Sequence, residues 1–182
     1  MIKATETKLK GCFVIEPTIF KDDRGYFFES FNHREFCKAI GQEVNFVQDN
    51  QSYSKKGVLR GLHFQKGEHA QAKLVSILDG RIQDVVVDLR KNSPTFGEHL
   101  SIELDNENKR QLFVPRGFAH GFLTLSESAR VLYKCDNYYN KSAEGGIRYD
   151  DQKLKLEWQL NTSDLVLIEK DRKLPFWDNM DT

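Results

Sequence analysis

The apolar positions of this chain fall in short, glycine-punctuated segments, and one stretch alone reads as a helix. Asn32 followed by Glu35 has the form of a capping box. With Phe36, Ile40 and a terminal Gly41, it predicts a short helix near 33–40. Lys73 to Leu78 reads as a strand, Asp79-Gly80 as a hairpin turn and Arg81 to Leu89 as the returning strand. Further strands are predicted over His99–Leu104, Gln111–Val114, His120–Leu125, Arg130–Asp136 and Leu154–Gln159. The segments around His63 (Gly57 to Gln65) and His120 (Pro115 to Phe122) also read as strands, with Pro115 at a corner. Many short strands with one helix, and no repeat, linker or low-complexity tract, predict a mainly β sandwich or closed barrel in a single domain, 1–182.

Strand parity adds detail, because successive side chains point to opposite faces. Val131, Tyr133 and Cys135 share a face, so an apolar interior draws Tyr133 inward. Lys73 shares a face with Val75 and Ile77, which places a cation on an apolar face and demands a partner. Asp84, across the hairpin, is the candidate. His63 and Gln65 share a face; parity sets Arg60 opposite His63 unless the strand begins after Gly61.

Composition narrows the function classes. The 182 residues suffice for one substantial core. Lys+Arg and Asp+Glu are both 27, so no nucleic-acid-binding charge signature is present. No apolar run is long enough to span a membrane, and the first residues do not resemble a signal peptide. Cys12, Cys37 and Cys135 are scattered, without a Cys-x-x-Cys pair, which fits a reduced, cytoplasmic protein better than a disulfide framework.

The candidate chemistry centres on the two histidines. Pro115-x-Gly117-x-x-His120 looks like the second motif of cupin jelly rolls, whose first motif is matched here by His63-x-Gln65 followed by Glu68 and His69. Gln65 replaces one imidazole, and Lys73 has no lone pair to give while protonated, so the ligand set for a metal is thin. Without a metal, the same residues suit acid–base work. The His63 imidazole could take a proton, a carboxylate behind it would orient it, Tyr133 could return a proton from the opposite wall, and Lys73 could stabilise an oxyanion. Taken singly, each has an ordinary structural reading: a hydrogen-bonded core histidine, a packed tyrosine, a turn arginine at Arg24, a solvated charge run around Asp171.

Several blocks together carry a resemblance. Asp23-Arg24-Gly25-Tyr26-Phe27-Phe28-Glu29, Gln48-Asp49-Asn50-Gln51-Ser52, Gly57 to Gln65 and Gln71 to Val75 occur in order. They continue through Asp84 to Arg90, Ser93 to Gly97, Pro115 to Phe122, Tyr133-Lys134, Tyr138-Tyr139 and Lys170-Asp171. From about Cys12 to Asp171 the chain resembles the dTDP-4-dehydrorhamnose 3,5-epimerase family. The resemblance implies a metal-free, cofactor-free cupin jelly roll with one or two short helices. It implies a homodimer in which the N-terminal segment helps build the partner's sheet and site. It implies inversion at C3 and C5 of dTDP-4-keto-6-deoxy-D-glucose through enolates, a step of dTDP-L-rhamnose synthesis. On this resemblance His63 is the base, Asp171 its carboxylate partner, Tyr133 the proton donor and Lys73 the cation at the C4 oxygen. Arg24, Gln48, Asn50, Arg60 and His120 line the nucleotide-sugar site, with Asp49 a weaker member. Glu29 meets the thymine, Tyr139 and Phe27 stack on it, and Glu144 completes the wall. The alternatives are an epimerase acting at C3 or C5 alone, a metal-dependent cupin enzyme, and a non-catalytic sugar-binding jelly roll.

Overall fold

A computed structural model describes residues 2–180. Its elements in chain order are β1 (Ile2–Glu6), β2 (Phe13–Pro17), β3 (Phe20–Asp22), β4 (Gly25–Phe27), α1 (His33–Ile40), β5 (Gln48–Lys55) and β6 (Leu59–Gln65). Next come β7 (Lys73–Asp79), β8 (Arg81–Asp88), β9 (His99–Asp105), β10 (Gln111–Val114), β11 (Phe118–Thr124), β12 (Ser128–Cys135), β13 (Glu144–Gly146) and α2 (Glu169–Arg172). A six-stranded sheet runs β1-β2-β10-β7-β12-β5, and a five-stranded sheet runs β13-β6-β11-β8-β9. The mainly β fold anticipated from the segment pattern is the one found, with the jelly-roll form that the resemblance implied.

Alternation decides what lies between the sheets. Val75 and Ile77 of β7, Leu112 and Val114 of β10 and Val131 of β12 meet Ile82 and Val86 of β8 and Phe118 and Phe122 of β11 in one buried cluster. Burial of each such side chain contributes about 1.5–3 kcal/mol. Their sequence neighbours point outward, and both outer faces are covered. Leu74 and Phe113 pack under α1 with Phe36, Cys37 and Ile40. The helix is capped as expected: Asn32 Oδ1 accepts from the Glu35 N–H at 3.2 Å, and Gly41 closes it at φ 72°.

The other face is covered by the chain after β13. Leu62, Val85, Val87 and Ala119 pack against Ile147 and Leu154, with Leu156, Trp158 and Trp177 alongside. That segment corrects one expectation, since 154–159 is not a strand. The buried Gln83 side chain donates to the Glu157 carbonyl at 2.7 Å and accepts from the Gln159 N–H at 2.9 Å. A side chain thus satisfies backbone groups that a ladder would otherwise pair, and the apolar alternation serves packing across a sheet face. Trp177 also docks on the barrel, with its ring 5.4 Å from that of Phe96.

β1 pairs with β2 and forms an edge of the chain's own six-stranded sheet. The β3–β4 hairpin joins neither large sheet and exposes Phe20, Tyr26 and Phe27.

Candidate active site

β6 carries the first histidine, and a bulge sets its surroundings. His63 pairs with His120 while Arg60 pairs with Phe122, so three steps on β6 match two on β11. The extra residue overrides simple parity and turns Arg60 and His63 toward the same cavity. Gly61 makes this possible: its φ is 126°, and a Cβ there would stand 2.6 Å from the Gly121 Cα.

Asp171 approaches from α2, 108 residues along the chain. Its Oδ1 lies 2.8 Å from His63 Nε2, and its Oδ2 accepts the Gly61 N–H at 3.2 Å. Burial works to raise the Asp171 pKa; the hydrogen bond from His63 and its charge, the Gly61 N–H and Lys170 outweigh it and hold the carboxyl below its ordinary value. An ionised carboxylate only accepts, so Nε2 carries a hydrogen, and in the neutral ring Nδ1 keeps the lone pair.

Two further groups come from the opposite sheet. Lys73 opens β7 beside Cys135, and its ammonium lies 6.0 Å from the centre of the Tyr133 ring. Burial lowers the Lys73 pKa, against the opposing influence of Cys135 and Asp84. Burial, with Cys135, raises that of Tyr133, against Arg60. Asp84 is not the ion-pair partner expected for Lys73. It bonds His120 Nε2 at 3.0 Å, and among the described residues no carboxylate lies within ion-pair distance of Lys73. The lysine stands beside open space, with Asp84 acting on it through its charge but not bonded to it.

That space consists of two adjoining cavities. One, of about 410 Å³, is lined by Arg60, His63, Lys73, His120, Tyr133 and Asp171, with Ser52, Phe122 and the strap Val166 to Ile168. The other, of about 270 Å³, is lined by Gln48, Asn50, Gln65, Gln71, Tyr139 and Glu144, and shares His63, Lys73 and Tyr133. The three groups with acid–base or cationic character therefore stand where the cavities meet. In the second cavity the Tyr139 hydroxyl donates to Glu144 Oε2 at 3.0 Å, and Lys170 Nζ reaches Glu144 Oε1 at 2.6 Å. Burial would raise the Glu144 pKa, but these two donors and the nearby charges of Lys170 and His63 lower it.

Not every predicted residue reaches these cavities. Asp49 points to the outer face of β5, since parity separates it from Gln48 and Asn50, and it holds Lys134 at 3.0 Å. Arg24 bonds Asp22 on the exposed hairpin at 2.6 Å, Phe27 is 70% exposed, and Glu29 accepts from Asn32 at 3.0 Å. This chain alone does not bring those three to the cavities. Glu68 is outside the barrel and His69 bonds Asn140, so neither joins His63 and His120. The strap Val166 to Ile168, Ser52, Phe122, Gln65 and Gln71 were not singled out from sequence as lining residues. Nothing local marks the strap, which reaches the cavity through a parallel bridge between Val58 and Val166. The Asp84 position was legible as a charge on an inward face, but its partner was not.

Comparison with known proteins gives a consistent picture. The family model described as dTDP-4-dehydrorhamnose 3,5-epimerase matches residues 6–179. A curated relative of that name from Salmonella typhimurium is 51% identical over 178 residues, covering 98% of this chain and 97% of its own. The crystal structure of the protein so named from Elizabethkingia anophelis superposes with a TM-score of 0.94 at 54% identity, covering 97% of each chain. A dTDP-6-deoxy-D-glucose-3,5-epimerase from Legionella pneumophila, solved in complex with dTDP-4-keto-L-rhamnose, gives 0.95 at 43% identity, covering 100% of this chain and 95% of that one.

Proposed function

This chain belongs to the dTDP-4-dehydrorhamnose 3,5-epimerase family, and we propose that it inverts C3 and C5 of dTDP-4-keto-6-deoxy-D-glucose to form dTDP-4-keto-L-rhamnose. The observation that carries the reading is the meeting of an imidazole backed by a buried carboxylate, a phenol on the opposite wall and an ammonium with no ion-paired carboxylate. A carbon next to a ketone needs those three groups to invert.

In the proposed reaction His63 Nδ1 takes the C5 proton, and the C5–H electron pair moves into the C4 carbonyl. The resulting enolate oxygen is held by the Lys73 ammonium. Asp171 fixes the ring and stabilises the imidazolium that forms. Tyr133 delivers a proton to the opposite face of C5 as the enolate collapses to the ketone; the His63 imidazolium then releases its proton to solvent and the Tyr133 phenolate recovers one, restoring both groups. Repetition at C3 completes the product. Burial keeps Tyr133 a neutral acid and lowers the Lys73 pKa, so the enolate's negative charge would favour the ammonium form beside it.

The nucleotide would extend into the second cavity, with thymine stacked on Tyr139 and Gln48, Asn50 and Glu144 along the wall. Arg60 and His120 would face the diphosphate and sugar. The exposed hairpin supports a homodimer: Arg24, Phe27 and Glu29 would enter the partner's cavity, Arg24 toward the diphosphate, Glu29 and Phe27 toward the base. Three buried, unpaired cysteines support a reducing, cytosolic setting. No helix among the described residues is long and apolar enough to cross a membrane.

The test is incubation of chelator-treated protein with dTDP-4-keto-6-deoxy-D-glucose in D2O, followed by NMR. Deuterium at C3 and C5, with dTDP-L-rhamnose formed on adding the downstream reductase and NADPH, is the expected result. Deuterium at one carbon would indicate a single-site epimerase, and none at either would remove the enolate mechanism.

A further inference from the structure

Away from the cavities, three potential ligands of different chemistry converge between one face of α1 and the loop that follows it. His33 and Cys37 are one helical turn apart, so their side chains lie on the same face. Gly41 then turns the chain in the left-handed conformation and brings Glu43 back to that face. His33 Nε2 lies 2.9 Å from Glu43 Oε1 and 3.7 Å from Cys37 Sγ, and the three ligand atoms fall within 4.8 Å of one another. Among the described residues no other His, Cys, Asp or Glu group of three or more converges in this way.

The distances can be compared with a metal's requirement. Zinc bound tetrahedrally at its usual bond lengths separates an imidazole nitrogen from a thiolate sulfur by about 3.6 Å, and from a carboxylate oxygen by about 3.4 Å. The nitrogen–sulfur separation is already met. The nitrogen–oxygen separation must open by about 0.5 Å, which the exposed Glu43 side chain can supply without backbone movement. The thiol is anchored: the Val44 N–H points at Cys37 Sγ at 3.5 Å, so one backbone donor already faces the sulfur where a thiolate would form. His33 and Glu43 open to solvent, which leaves an entry path and a fourth position for water.

We propose that His33, Cys37 and Glu43 form a binding site for a single borderline-soft divalent cation, zinc being the best match to nitrogen, sulfur and oxygen ligands together. Such an ion would staple the first turn of α1 to the loop that leads into β5, the strand that carries Gln48 and Asn50. Its role is structural and separate from the chemistry in the barrel.

Cobalt titration of the full-length protein, freed of metal and reduced, gives the direct readout. A thiolate-to-cobalt charge-transfer band saturating at one ion per chain, displaced by zinc, is expected. It should persist in His63→Asn, and be abolished in Cys37→Ser and weakened at least tenfold in His33→Ala and Glu43→Gln. Zinc should raise the melting temperature of the wild type and of His63→Asn, but not that of His33→Ala. The two exposed substitutions keep the test decisive if Cys37→Ser fails to fold. Absence of the band, or cobalt affinity unchanged in His33→Ala and Glu43→Gln, would overturn the site and leave an ordinary His–Glu surface pair. Because neither outcome depends on turnover, failure here is distinguishable from failure of the epimerase reading.

Discussion

At the scale of single residues, the arrangement assigns different kinetic consequences to groups only a few ångströms apart. His63→Ala removes the base, so exchange of the C5 proton into solvent should fall about 10²–10⁴-fold. The binding of dTDP, measured by calorimetry, should change little. Tyr133→Phe leaves the base and cation in place. Deuterium incorporation with retained configuration should therefore outlast inversion in that variant, and parallel loss of both would rule out Tyr133 as the terminal donor. Lys73 gives a pH signature. Burial lowers its pKa, so the charged form is lost as pH rises through a value below the ordinary lysine range, and the rate should fall with it. Arginine stays charged far above that point. Lys73→Arg should be slower at neutral pH but should move the alkaline limb upward; an unmoved limb would assign it to another group.

At the scale of elements, two local devices position the site. The first is the bulge in β6. Gly61→Ala would press a Cβ to 2.6 Å from the Gly121 Cα and 2.9 Å from the His120 carbonyl oxygen, at a φ of 126°. The strain should cost about 1–3 kcal/mol and impair turnover with Arg60 and His63 both unaltered, a combination measurable by denaturant melts and initial rates. The second is Asp88 at the end of β8. It accepts from Arg90 Nη2 at 2.7 Å, Thr95 Oγ1 at 2.7 Å and Ser93 Oγ at 2.5 Å, tying down the turn before β9. Burial opposes its charge, but those donors lower its pKa to about 2. A depressed carboxyl contributes stability above its unfolded pKa, near 3.9, and loses it as pH falls toward about 2. Asp88→Asn should therefore destabilise by about 2 kcal/mol at pH 7 and flatten the acid limb of stability below pH ~4.

At the scale of the whole molecule, the exposed hairpin and the incomplete nucleotide site make a joint prediction. If Arg24 acts in the partner's cavity, Arg24→Ala and His63→Ala homodimers are each impaired. Mixed dimers then contain one intact site, formed by the barrel of one protomer and the hairpin of the other. Equal mixing after subunit exchange should restore about a quarter of wild-type sites, since half of the dimers are mixed and each carries one good site. No recovery, with exchange verified, would confine the site to one chain.

How much of this was legible in advance depends on the range of the interaction. The helix near 33–40 follows from an N-cap and a terminal glycine, and the inward faces of Lys73 and Tyr133 follow from a two-residue period. Both are set by neighbours along the chain, so local pattern sufficed. The resemblance supplied the pairing of Asp171 with His63, which no spacing could have predicted across 108 residues. Where parity failed, at Arg60, a bulge had inserted one residue, and only cross-strand register records that. Where periodicity misled, at 154–159, the alternating side chains pack across a sheet face while Gln83 bonds the backbone. The sequence by itself determined α1, the strands from β6 to β12, the inward faces of Lys73 and Tyr133 and the kinds of group available for catalysis, because those depend on side-chain chemistry and near neighbours. The tertiary structure alone decided that Asp84 serves His120 and not Lys73, that Asp49 faces outward, and that two cavities meet at His63, Lys73 and Tyr133. Those outcomes depend on how the sheets and the C-terminal segment come together in space.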